Sequence, residues 1–489
     1  MPNSLNGATK DVIVVGFGGS GAVAALAAAE AGATVAIVEK SPRGGGNTQE
    51  AGGSLRKIAD ADLAAHYFEQ LANGGTPADL IEAFVAGCNP AIEWLERHGL
   101  RMTEAGGPWR DWKYPLVTHD PFPRVPGNEG LGSRVRVEQD VPGHGGSALW
   151  EGLRRRVLDA NIDVVLESRV VDLLRERTSG RTCGVAVVSA GGTTTQLEAR
   201  SGVVLACGGF SGDPGMQRAY LGTELPAFGL PGGNAGDGVR LAQAAGAELW
   251  HMNAFAAVLG YRIPGYPSAF RHHVYNESFI YVDQAAARFV NEVGLDNHAM
   301  PWAFRWMDPS LPGYPRIPGY LIFDESARRA GPIVKDALGY HRRDWKWSAD
   351  NSQEIDKGWI HKGETADELA VALGISAPAL ARTVADYNAC ALAGVDGAYG
   401  RPADAMMALQ PPYYGIALWP CLLNTQGGPR RNASGQVIGI DGSPITGLFS
   451  AGELGSIWTE LYPGGGNLME CIVSGIAAGR AAAGGGDRG

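Results

Sequence analysis

One segment near the start of the chain constrains the fold more than any other. Asp11–Val15 is a short, continuous and mostly β-branched run, which predicts a buried parallel strand. The glycine-rich turn Gly16–Gly21 follows it, and then Ala22–Ala31, an alanine-rich stretch without a helix breaker. Thr34–Val38 predicts a second strand, and Glu39 comes directly after it. This succession of strand, GxGxxG turn, helix, strand and acid is the dinucleotide-binding fingerprint of a βαβ unit.

Each residue of this fingerprint has a physical role. Gly16 permits the tight turn, Gly18 lets the backbone approach a pyrophosphate, and Gly21 lets the helix pack closely on the sheet. The N-terminus of the helix supplies unpaired N–H groups and a partial positive charge for the pyrophosphate. Glu39 can accept hydrogen bonds from both hydroxyls of an adenosine ribose and would repel a 2′-phosphate. We therefore expect a bound dinucleotide other than NADP.

Composition and charge argue against several other classes of protein. Of the 489 residues, 71 are Gly, but they follow no three-residue period, which excludes collagen. The net charge of −10 argues against nucleic acid or an anionic membrane as a partner. The six cysteines include no CxxC pair, which argues against a bound metal and is typical of a reduced compartment. With neither a signal-peptide pattern nor a sufficiently apolar stretch, we expect a cytoplasmic protein without stable membrane insertion.

A second glycine cluster lies just past the ribose acid, between Arg43 and Gly53. Its Gly-Asn-Thr…Ala-Gly-Gly pattern resembles the loop over the flavin in the FAD-dependent fumarate reductase and 3-ketosteroid dehydrogenase superfamily. The resemblance covers nearly the whole chain, and it implies that the cofactor is FAD. Further segments resemble this superfamily in chain order: Gly143–Trp150, Val203–Phe210, Gly233–Gly238, Arg288–Glu292, Ile445–Glu453 and Gly464–Leu468.

The resemblance also implies which residues hold the FAD. Superfamily members with a covalent flavin carry a histidine where this chain has Asn47, so we expect noncovalent binding. A last helix that begins near Asn467 would place positive potential beside the pyrimidine ring of the flavin. The residues expected to bind the cofactor are Gly16, Gly18, Gly19, Gly21, Glu39, Lys40, Gly46, Asn47, Thr48, Gly52, Gly53, Val170, Ala206, Gly208, Asp237, Gly452, Glu453, Gly466, Asn467 and Leu468.

The cofactor motifs lie at both ends of the chain, whereas the middle is dense in aromatic residues, His, Arg and Pro. We therefore predict an α/β fold in which a Rossmann-type FAD-binding domain is interrupted by an inserted α+β cap domain. The expected boundaries are residues 1–250 and 414–489 for the FAD-binding domain and residues 251–413 for the cap. Within the cap, Thr365–Glu368 has the form of a capping box and predicts a helix that ends at Leu373.

The loop before the last helix favours one branch of the superfamily. The histidine and two arginines that handle a dicarboxylate in fumarate reductases fall at Asn424, Asp296 and Pro463, so all three are absent. Tyr462–Gly466, in contrast, resembles the Tyr-Pro-Gly-x-Gly loop of ketosteroid 1-dehydrogenases. That resemblance implies that the Tyr462 hydroxyl and the Gly466 N–H polarise a substrate ketone as an oxyanion hole.

The base that removes the α-proton is a cap tyrosine in that branch. Tyr275 and Tyr281 are the candidates we favour, although no distinctive motif surrounds either of them. The aromatic residues of the cap suit a flat or hydrophobic substrate or else form a core. They include Trp302, Phe304, Trp306, Tyr314, Trp345 and Trp347. Further candidates for proton transfer are Tyr114, Tyr261, His251, His272, His273 and His298.

The predicted function is α,β-dehydrogenation of a ketone, or the reverse ene reduction, with hydride passing to or from flavin N5. We expect a hydrophobic or cyclic ketone as substrate. An unidentified electron acceptor or donor is needed, because the sequence holds no second nucleotide fingerprint. One alternative is an oxidoreductase of a di- or tricarboxylate, similar to tricarballylate dehydrogenase, which would use Arg430, Arg431 or arginines of the cap. Another alternative is a FAD-binding protein without turnover.

Overall fold

The computed structural model describes residues 9–105, 113–114, 116, 122–138, 145–160, 162–335 and 339–484. The strands are β1 (Thr9–Val15), β2 (Val35–Val38), β3 (Leu55–Ile58), β4 (Met102–Glu104), β5 (Leu131–Val137), β6 (Asp163–Val165), β7 (Ser168–Arg175), β8 (Thr182–Ser189), β9 (Thr194–Leu205), β10 (Leu249–Trp250), β11 (Phe255–Tyr261), β12 (Phe270–Arg271), β13 (Phe279–Val282), β14 (Gly319–Asp324), β15 (His361–Gly363), β16 (Tyr413–Thr425), β17 (Gly428–Pro429), β18 (Gln436–Ile438) and β19 (Pro444–Ser450). The α-helices are α1 (Gly19–Glu30), α2 (Gly46–Glu50), α3 (Ala61–Ala72), α4 (Ala78–Arg97), α5 (Gly145–Asp159), α6 (Pro214–Met216), α7 (Asp237–Ala244), α8 (Met300–Phe304), α9 (Glu325–Ala330), α10 (Ser352–Asp356), α11 (Ala366–Leu373), α12 (Ala377–Ala393) and α13 (Gly466–Gly484).

The first sheet is built around β1. Strands β2 and β9 lie on either side of β1, both parallel to it. Strand β6 pairs in parallel with β2, β19 pairs in parallel with β9, and the antiparallel β18 lies at the edge beside β19. The antiparallel strands β7 and β8 branch from β9. Val12, Ile13 and Val14 are fully buried, as a parallel sheet covered on both faces requires. The predicted strand–turn–helix–strand order is therefore confirmed, with α1 beginning at Gly19 inside the glycine-rich turn.

The first and last helices pack closely against each other. Helix α1 is rich in alanine and almost entirely buried. A Cβ atom at Gly475 of α13 would lie 3.0 Å from Cβ of Val23, and one at Gly479 would overlap the backbone of Ala24. These two glycines, one helical turn apart, let α13 approach the helix of the fingerprint.

A second, antiparallel sheet has the order β12-β11-β16-β14-β13, and β15 also pairs with β16. Strand β16 runs from Tyr413 to Thr425, so it crosses the expected domain boundary at residue 413. Helix α11 begins after Thr365, whose Oγ1 accepts a hydrogen bond from the backbone N–H of Glu368 at 3.1 Å, and it ends at Leu373. The predicted capping residue and both ends of this helix are confirmed.

The Arg288–Glu292 motif belongs to a buried charge network of the second sheet. Arg288 donates to both carboxylate oxygens of Glu292 at 2.8 Å and to Asp396 at 2.9 Å. Arg401 lies 3.3 Å from Glu292 and donates to the carbonyl oxygen of Phe279 at 2.7 Å. Because opposite charges are paired inside the protein, this network connects segments more than 100 residues apart without leaving a buried charge alone.

The two sheets share a continuous apolar core, which contains Ile13 and Leu205 of the first sheet and Phe255 and Leu321 of the second. The carboxyl ends of β1, β2, β9 and β19 meet at the edge of the first sheet that faces this junction. None of the described helices combines the length and the apolar character that crossing a bilayer requires.

Candidate active site

A cavity of about 960 Å³ lies at the carboxyl ends of the central parallel strands. Its wall includes Gly16, Glu39 and Ala206, each of which directly follows a strand, and also Arg271 and His298 from the second sheet and its loops. This volume is near the upper end of the range for small-molecule sites, about 300–1,000 Å³. An elongated ligand that reaches from the fingerprint to the second sheet therefore fits it.

The fingerprint residues adopt the geometry that the sequence predicts. Gly16 has a φ of +104°, and a Cβ atom there would lie 2.5 Å from the carbonyl oxygen of Ala206. A Cβ atom at Gly21 would overlap the carbonyl of Gly16, so Gly21 allows α1 to approach β1. The two oxygens of Glu39 accept hydrogen bonds from the backbone N–H groups of Phe17 and Ser41, both at 2.7 Å. Each oxygen keeps a lone pair, so Glu39 can still accept the ribose hydroxyls.

Two cations fix Asp237, the first residue of α7, at the cavity wall. Lys40 donates to one oxygen of this carboxylate at 2.8 Å, and Arg169 contacts the other. Burial alone would raise the pKa of Asp237, but hydrogen bonds and charge from Lys40 and Arg169 hold it below its ordinary value. Asp237 therefore stays ionised and holds Lys40 at the entrance to the fingerprint.

Asn47 and Asn234 meet at Glu453, deep in the same cavity. Asn234 donates to both oxygens of Glu453 at 3.1 Å, and the backbone N–H of Thr425 donates to Oε1 at 3.2 Å. Asn47 donates to the carbonyl of Leu423 at 3.0 Å and lies 3.4 Å from Glu453. Burial raises the pKa of Glu453 to about 8 despite these donors. The neutral acid is therefore favoured at neutral pH.

The structure brings most of the residues expected to bind FAD to this cavity. Gly21, Gly452 and Gly466 are not among the described residues that line it. A Cβ atom would lie 2.6 Å from Ser20 Oγ at Gly452 and 2.5 Å from the Trp458 ring at Gly466, so these glycines allow close packing instead of ligand contact. The residues that do line the cavity are Gly16, Gly18, Gly19, Glu39, Lys40, Gly46, Asn47, Thr48, Gly52, Gly53, Val170, Ala206, Gly208, Asp237, Glu453, Asn467 and Leu468.

Tyr462 lies at the inner end of the cavity, where it is 6% exposed. Its hydroxyl oxygen accepts a hydrogen bond from the backbone N–H of Asn467 at 3.2 Å. Burial raises the pKa of Tyr462, so the phenol keeps its own proton and can donate it to a ligand. Gly465 lines the cavity beside it, in place of the expected Gly466.

His298 packs edge-on against Tyr462, with 5.0 Å between the ring centroids. Its Nδ1 lies 3.3 Å from the carbonyl oxygen of Ala257, which assigns the imidazole proton to Nδ1 and leaves Nε2 as an acceptor. Burial, together with the positive charges of Arg271 and Arg134, lowers the pKa of His298 to about 3. The side chain is therefore a neutral imidazole at neutral pH.

Two buried arginines, one from each side of the cavity, line the same region. Arg134 of β5 is 7% exposed, and Arg271 of β12 is 3% exposed. Burial lowers the pKa of Arg271 to about 9, while the charge of Asp296 opposes this change, so Arg271 stays charged at neutral pH. In the amide orientation that satisfies both neighbours, Asn297 accepts from Arg271 at 2.9 Å and donates to Asp296 at 2.7 Å.

A third arginine holds the loop that carries Tyr462. Arg56 of β3 lies directly opposite Arg134 of β5 in the register of the two strands. Its Nη2 donates to the carbonyl oxygens of Pro463 at 3.2 Å and Gly464 at 3.1 Å. Arg56 therefore connects β3 to the backbone that immediately follows Tyr462.

The two tyrosines favoured as base, Tyr275 and Tyr281, are not among the described residues that line the cavity. Tyr281 is fully buried, and its hydroxyl is 2.8 Å from Nε2 of His272, whose Nδ1 is 2.5 Å from the hydroxyl of Tyr261. The hydroxyl of Tyr275 accepts a hydrogen bond from Lys335 at 3.2 Å. Tyr281 therefore belongs to the interior of the second sheet, and Tyr275 is half-buried beside Lys335. Neither position supports the expected role.

The remaining sequence candidates also have structural partners elsewhere. Arg430 pairs with Glu248 at 3.2 Å, and Arg431 is buried against Glu470 at 2.5 Å. Trp302 stacks on Phe255 with 4.7 Å between the ring centroids, as a core residue does. None of the following lines the described part of the cavity: Tyr114, Tyr261, His251, His272, His273, Trp302, Phe304, Trp306, Tyr314, Trp345, Trp347, Arg430 and Arg431.

Arg134 and Asn297 lie at the cavity although no motif in the sequence indicates them, and no motif distinguishes Arg271 from the other cap arginines. Arg134 lies in the alternating run Ser133–Val137, where period-2 alternation places Arg134 and Arg136 on one face. That signal does not say whether the face meets solvent or a ligand. Arg271 precedes His272, a candidate that proved to be a core residue, and only the pairing of β11 and β12 places it at the cavity.

The polar groups of the cavity fit FAD. The Oδ1 atom of Asn467 and the Oγ atom of Ser54 are buried in it without a hydrogen-bond partner among the described residues, and polar atoms of a ligand would satisfy them. Gly19, the first residue of α1, and Asn467, the second residue of α13, both lie in the wall. Two helix N-termini therefore offer positive potential to a pyrophosphate and to a polar ring system.

A parallel sheet with this fingerprint, and with two helix N-termini on one long cavity, defines a dinucleotide-binding flavoprotein. The chain belongs to the FAD-binding domain family, whose model matches residues 11–469. The cofactor is therefore FAD, as predicted. The segment Gly143–Trp150, which also resembles this family, begins with two residues outside the described ranges.

The matches to curated relatives cover nearly the whole chain. The chain is 26% identical to an NADH:acrylate oxidoreductase of Vibrio harveyi, and the match covers 97% of this chain and 50% of that protein. It is 27% identical to a probable fumarate reductase of Shewanella frigidimarina, of which it covers 75%, and 28% identical to a 3-oxosteroid 1-dehydrogenase of Mycobacterium tuberculosis, of which it covers 97%. The chain thus spans half the length of the first relative and nearly all of the last.

Solved structures share the fold over almost the entire chain. A 3-ketosteroid Δ1-dehydrogenase from Sterolibacterium denitrificans aligns with a TM-score of 0.80 at 22% identity, covering 97% of this chain and 99% of that one. A flavocytochrome c3 fumarate reductase aligns with a TM-score of 0.71 at 24% identity, covering 98% of this chain and 79% of that one. The predicted α/β flavoprotein fold is confirmed.

Proposed function

We propose that the protein is an FAD-dependent oxidoreductase that acts on a C–C bond next to a carbonyl group, by α,β-dehydrogenation or by the reverse ene reduction. The position of Tyr462 carries this proposal. A buried, protonated hydroxyl lies at the inner end of the flavin cavity, and a backbone N–H fixes its oxygen. Such a group stabilises negative charge that develops on a carbonyl oxygen when the α-proton leaves.

The start of α13 supports the same chemistry. Gly465 and Asn467 line the cavity beside Tyr462, and the positive end of the helix dipole faces this region. Bound FAD supplies the two-electron acceptor or donor for the reaction. The protein in turn binds the carbonyl oxygen, orients the α-carbon and excludes water through the buried lining around Tyr462.

Of the candidates for proton transfer, His298 is the one that reaches the described part of the cavity, and its ring packs directly against Tyr462. Its Nε2 is an acceptor in a neutral imidazole. A pKa of about 3 makes this imidazole too weak a base to take an α-proton. We therefore propose that His298 accepts a hydrogen bond from the substrate and orients it, while Tyr462 donates a hydrogen bond to the carbonyl oxygen.

The alternatives have less support. Arg430 and Arg431 pair with Glu248 and Glu470, so they are not available to hold a substrate carboxylate. Among the cap arginines whose side chains are described, Arg271 reaches the cavity. The relatives that carry reductase or dehydrogenase names favour turnover over a binding-only role. The electron partner and the cellular compartment stay predictions.

Tyr462→Phe tests the proposal, with Tyr275→Phe as its matched control. The FAD-loaded variants are assayed with cyclic ketones and enones and an artificial electron mediator. Losing a hydroxyl that stabilises the oxyanion lowers kcat by about 10²–10³-fold. Tyr275→Phe, which lies away from the cavity, is expected to change kcat by less than about threefold. Equal activities of the two variants would remove Tyr462 from the mechanism.

A further inference from the structure

We propose that His251 is held as an imidazolium that positions residues 456–462, the segment leading to Tyr462, and that this hold weakens as the pH rises. His251 directly follows β10, where the chain passes into the second sheet. Its side chain does not line the described part of the cavity, so the role in proton transfer that the sequence allowed is not supported. The pH dependence does not rely on the reaction proposed for the site, because it concerns the position of a segment and not a chemical step.

Both ring nitrogens of His251 face a backbone carbonyl oxygen. Nδ1 lies 2.8 Å from the carbonyl oxygen of Ser456, and Nε2 lies 2.9 Å from that of Gly75. A carbonyl oxygen can only accept a hydrogen bond, and a neutral imidazole has a single N–H to donate. Since only the imidazolium donates to both oxygens, this geometry favours the charged ring.

The backbone and a neighbouring ring fix the orientation of the imidazole. The φ of His251 is +53°, in the left-handed region that residues other than glycine seldom adopt. Its carbonyl oxygen accepts a hydrogen bond from the N–H of Ala254 at 2.9 Å, which closes a turn before β11. The Trp250 ring stacks on the imidazole, with 4.2 Å between the centroids and 11° between the planes. The turn and the stacked ring therefore keep the imidazole between the two carbonyl oxygens.

The charged groups near His251 accommodate a cation. Burial raises the pKa of Glu470 on α13, and the charges of Arg431 and His251 oppose this rise. The loop between α3 and α4, which supplies one of the carbonyl oxygens, carries no charge over residues 73–76. The other charged groups on the elements around His251 are Glu248, Arg305, Arg430 and Glu460. A positive charge on His251 therefore has a buried carboxylate as its electrostatic partner.

The hydrogen bond to Ser456 holds the start of the segment that leads to Tyr462. The Ser456 hydroxyl also donates to Glu470 at 2.6 Å, and Trp458 packs against the Tyr462 ring with 6.2 Å between the centroids. The second hydrogen bond of His251 connects this segment to the loop between α3 and α4. A neutral ring keeps one of the two bonds and loses the other, so the segment is held less firmly at high pH.

Hydrogen exchange of the FAD-loaded protein, followed by mass spectrometry, tests this role. His251→Asn removes the cation, and asparagine tolerates the left-handed backbone. At about pH 6, residues 456–462 should exchange on the order of tenfold faster in His251→Asn than in the wild type, because hydrogen bonds to a charged group are lost. At about pH 9, above the range in which imidazoles change charge, the difference should fall below about threefold. His66→Asn, an exposed change on α3, should match the wild type at both pH values.

Nuclear magnetic resonance of protein with isotope-labelled histidine measures the charge of His251 directly. Its signals are those missing from His251→Asn, or from His251→Gln if the asparagine variant does not fold. Both ring nitrogens should have imidazolium shifts at about pH 6 and lose them as the pH rises. A neutral His251 at about pH 6 would overturn the inference. An exchange difference of the same size at both pH values would overturn it as well, since packing alone would then explain the effect of the variant.

Discussion

The hydroxyl oxygen of Tyr462 accepts a hydrogen bond from the backbone N–H of Asn467 at 3.2 Å. Asn467 is the second residue of α13, so the helix start fixes the position of the phenol. Arg56 holds the intervening loop at Pro463 and Gly464. The orientation of the group that would polarise the substrate therefore depends on a strand and a helix from opposite ends of the chain.

Arg56→Met should lower kcat through Tyr462, while FAD stays bound. A loop freed from Arg56 misplaces the phenol, and a displacement of about 1 Å can cost on the order of 10²-fold in rate. The expected signature is non-additivity: Arg56→Met combined with Tyr462→Phe is at most about threefold slower than Tyr462→Phe alone. Lys57→Met, an exposed change on the same strand, serves as the control. Additive effects in the double variant would show that Arg56 acts independently of Tyr462.

The FAD should leave the protein on denaturation. Asn47 stands where a covalent histidyl link forms in other members of the superfamily, and its amide already donates to the Leu423 carbonyl at 3.0 Å. After acid precipitation, the yellow colour should appear in the supernatant, where its spectrum is recorded. Colour that stays with the precipitated chain would mean that another residue holds the flavin covalently.

Glu453 should make the stability of the FAD-free protein depend on pH. Its pKa is raised by burial to about 8, from an ordinary value of 4.5, so the folded state holds a proton that the unfolded chain releases. The stabilisation from this proton is complete below about pH 4.5 and is lost as the pH rises through about 8. Thermal unfolding of the wild type and of Glu453→Gln at several pH values measures it. The melting temperature of Glu453→Gln should rise relative to that of the wild type as the pH increases. A difference in melting temperature that does not change with pH would contradict the burial argument.

Arg288→Met should destabilise the fold without touching the cavity. The change leaves Glu292 and Asp396 buried with fewer partners, and breaking a buried pair in this way costs about 3–5 kcal/mol. Urea unfolding followed by circular dichroism measures the loss. Arg329→Met is the control, because Arg329 is 73% exposed and a surface pair with Glu325 contributes only about 0–1 kcal/mol. Similar losses in both variants would argue against a structural role of the Arg288 network.

The cofactor site could be predicted from the sequence because its signals are local. Gly16, Gly21 and Glu39 act through spacing within one βαβ unit, and the structure gives them the predicted geometry. Thr365 likewise caps its helix from within a four-residue motif. Such patterns depend on backbone geometry over a few residues, so they can be interpreted without the tertiary fold.

The substrate end could not be predicted in the same way, because residues from two sheets meet there. Whether Tyr281 or His298 reaches the cavity depends on the register of the second sheet, which places Tyr281 in the core opposite Leu321. Arg134 and Arg271 come together only when β5 and β12 pack on either side of the cavity. A single arginine in an alternating strand does not predict this arrangement. Alternation shows which residues share a face of the strand, but it does not show what that face packs against.

Anaerobic titration of the purified, FAD-loaded protein is the most direct test of oxidoreductase chemistry at a C–C bond next to a carbonyl. The visible absorbance of the flavin is followed while saturated cyclic ketones and oxo-acids are added, and the chemically reduced protein is then mixed with the matching enones. We expect bleaching by at least one saturated carbonyl compound, or return of the yellow colour with its enone, and loss of that response in Tyr462→Phe. A flavin that is unchanged by every carbonyl compound in both directions, or a response that Tyr462→Phe leaves intact, would contradict the proposed function.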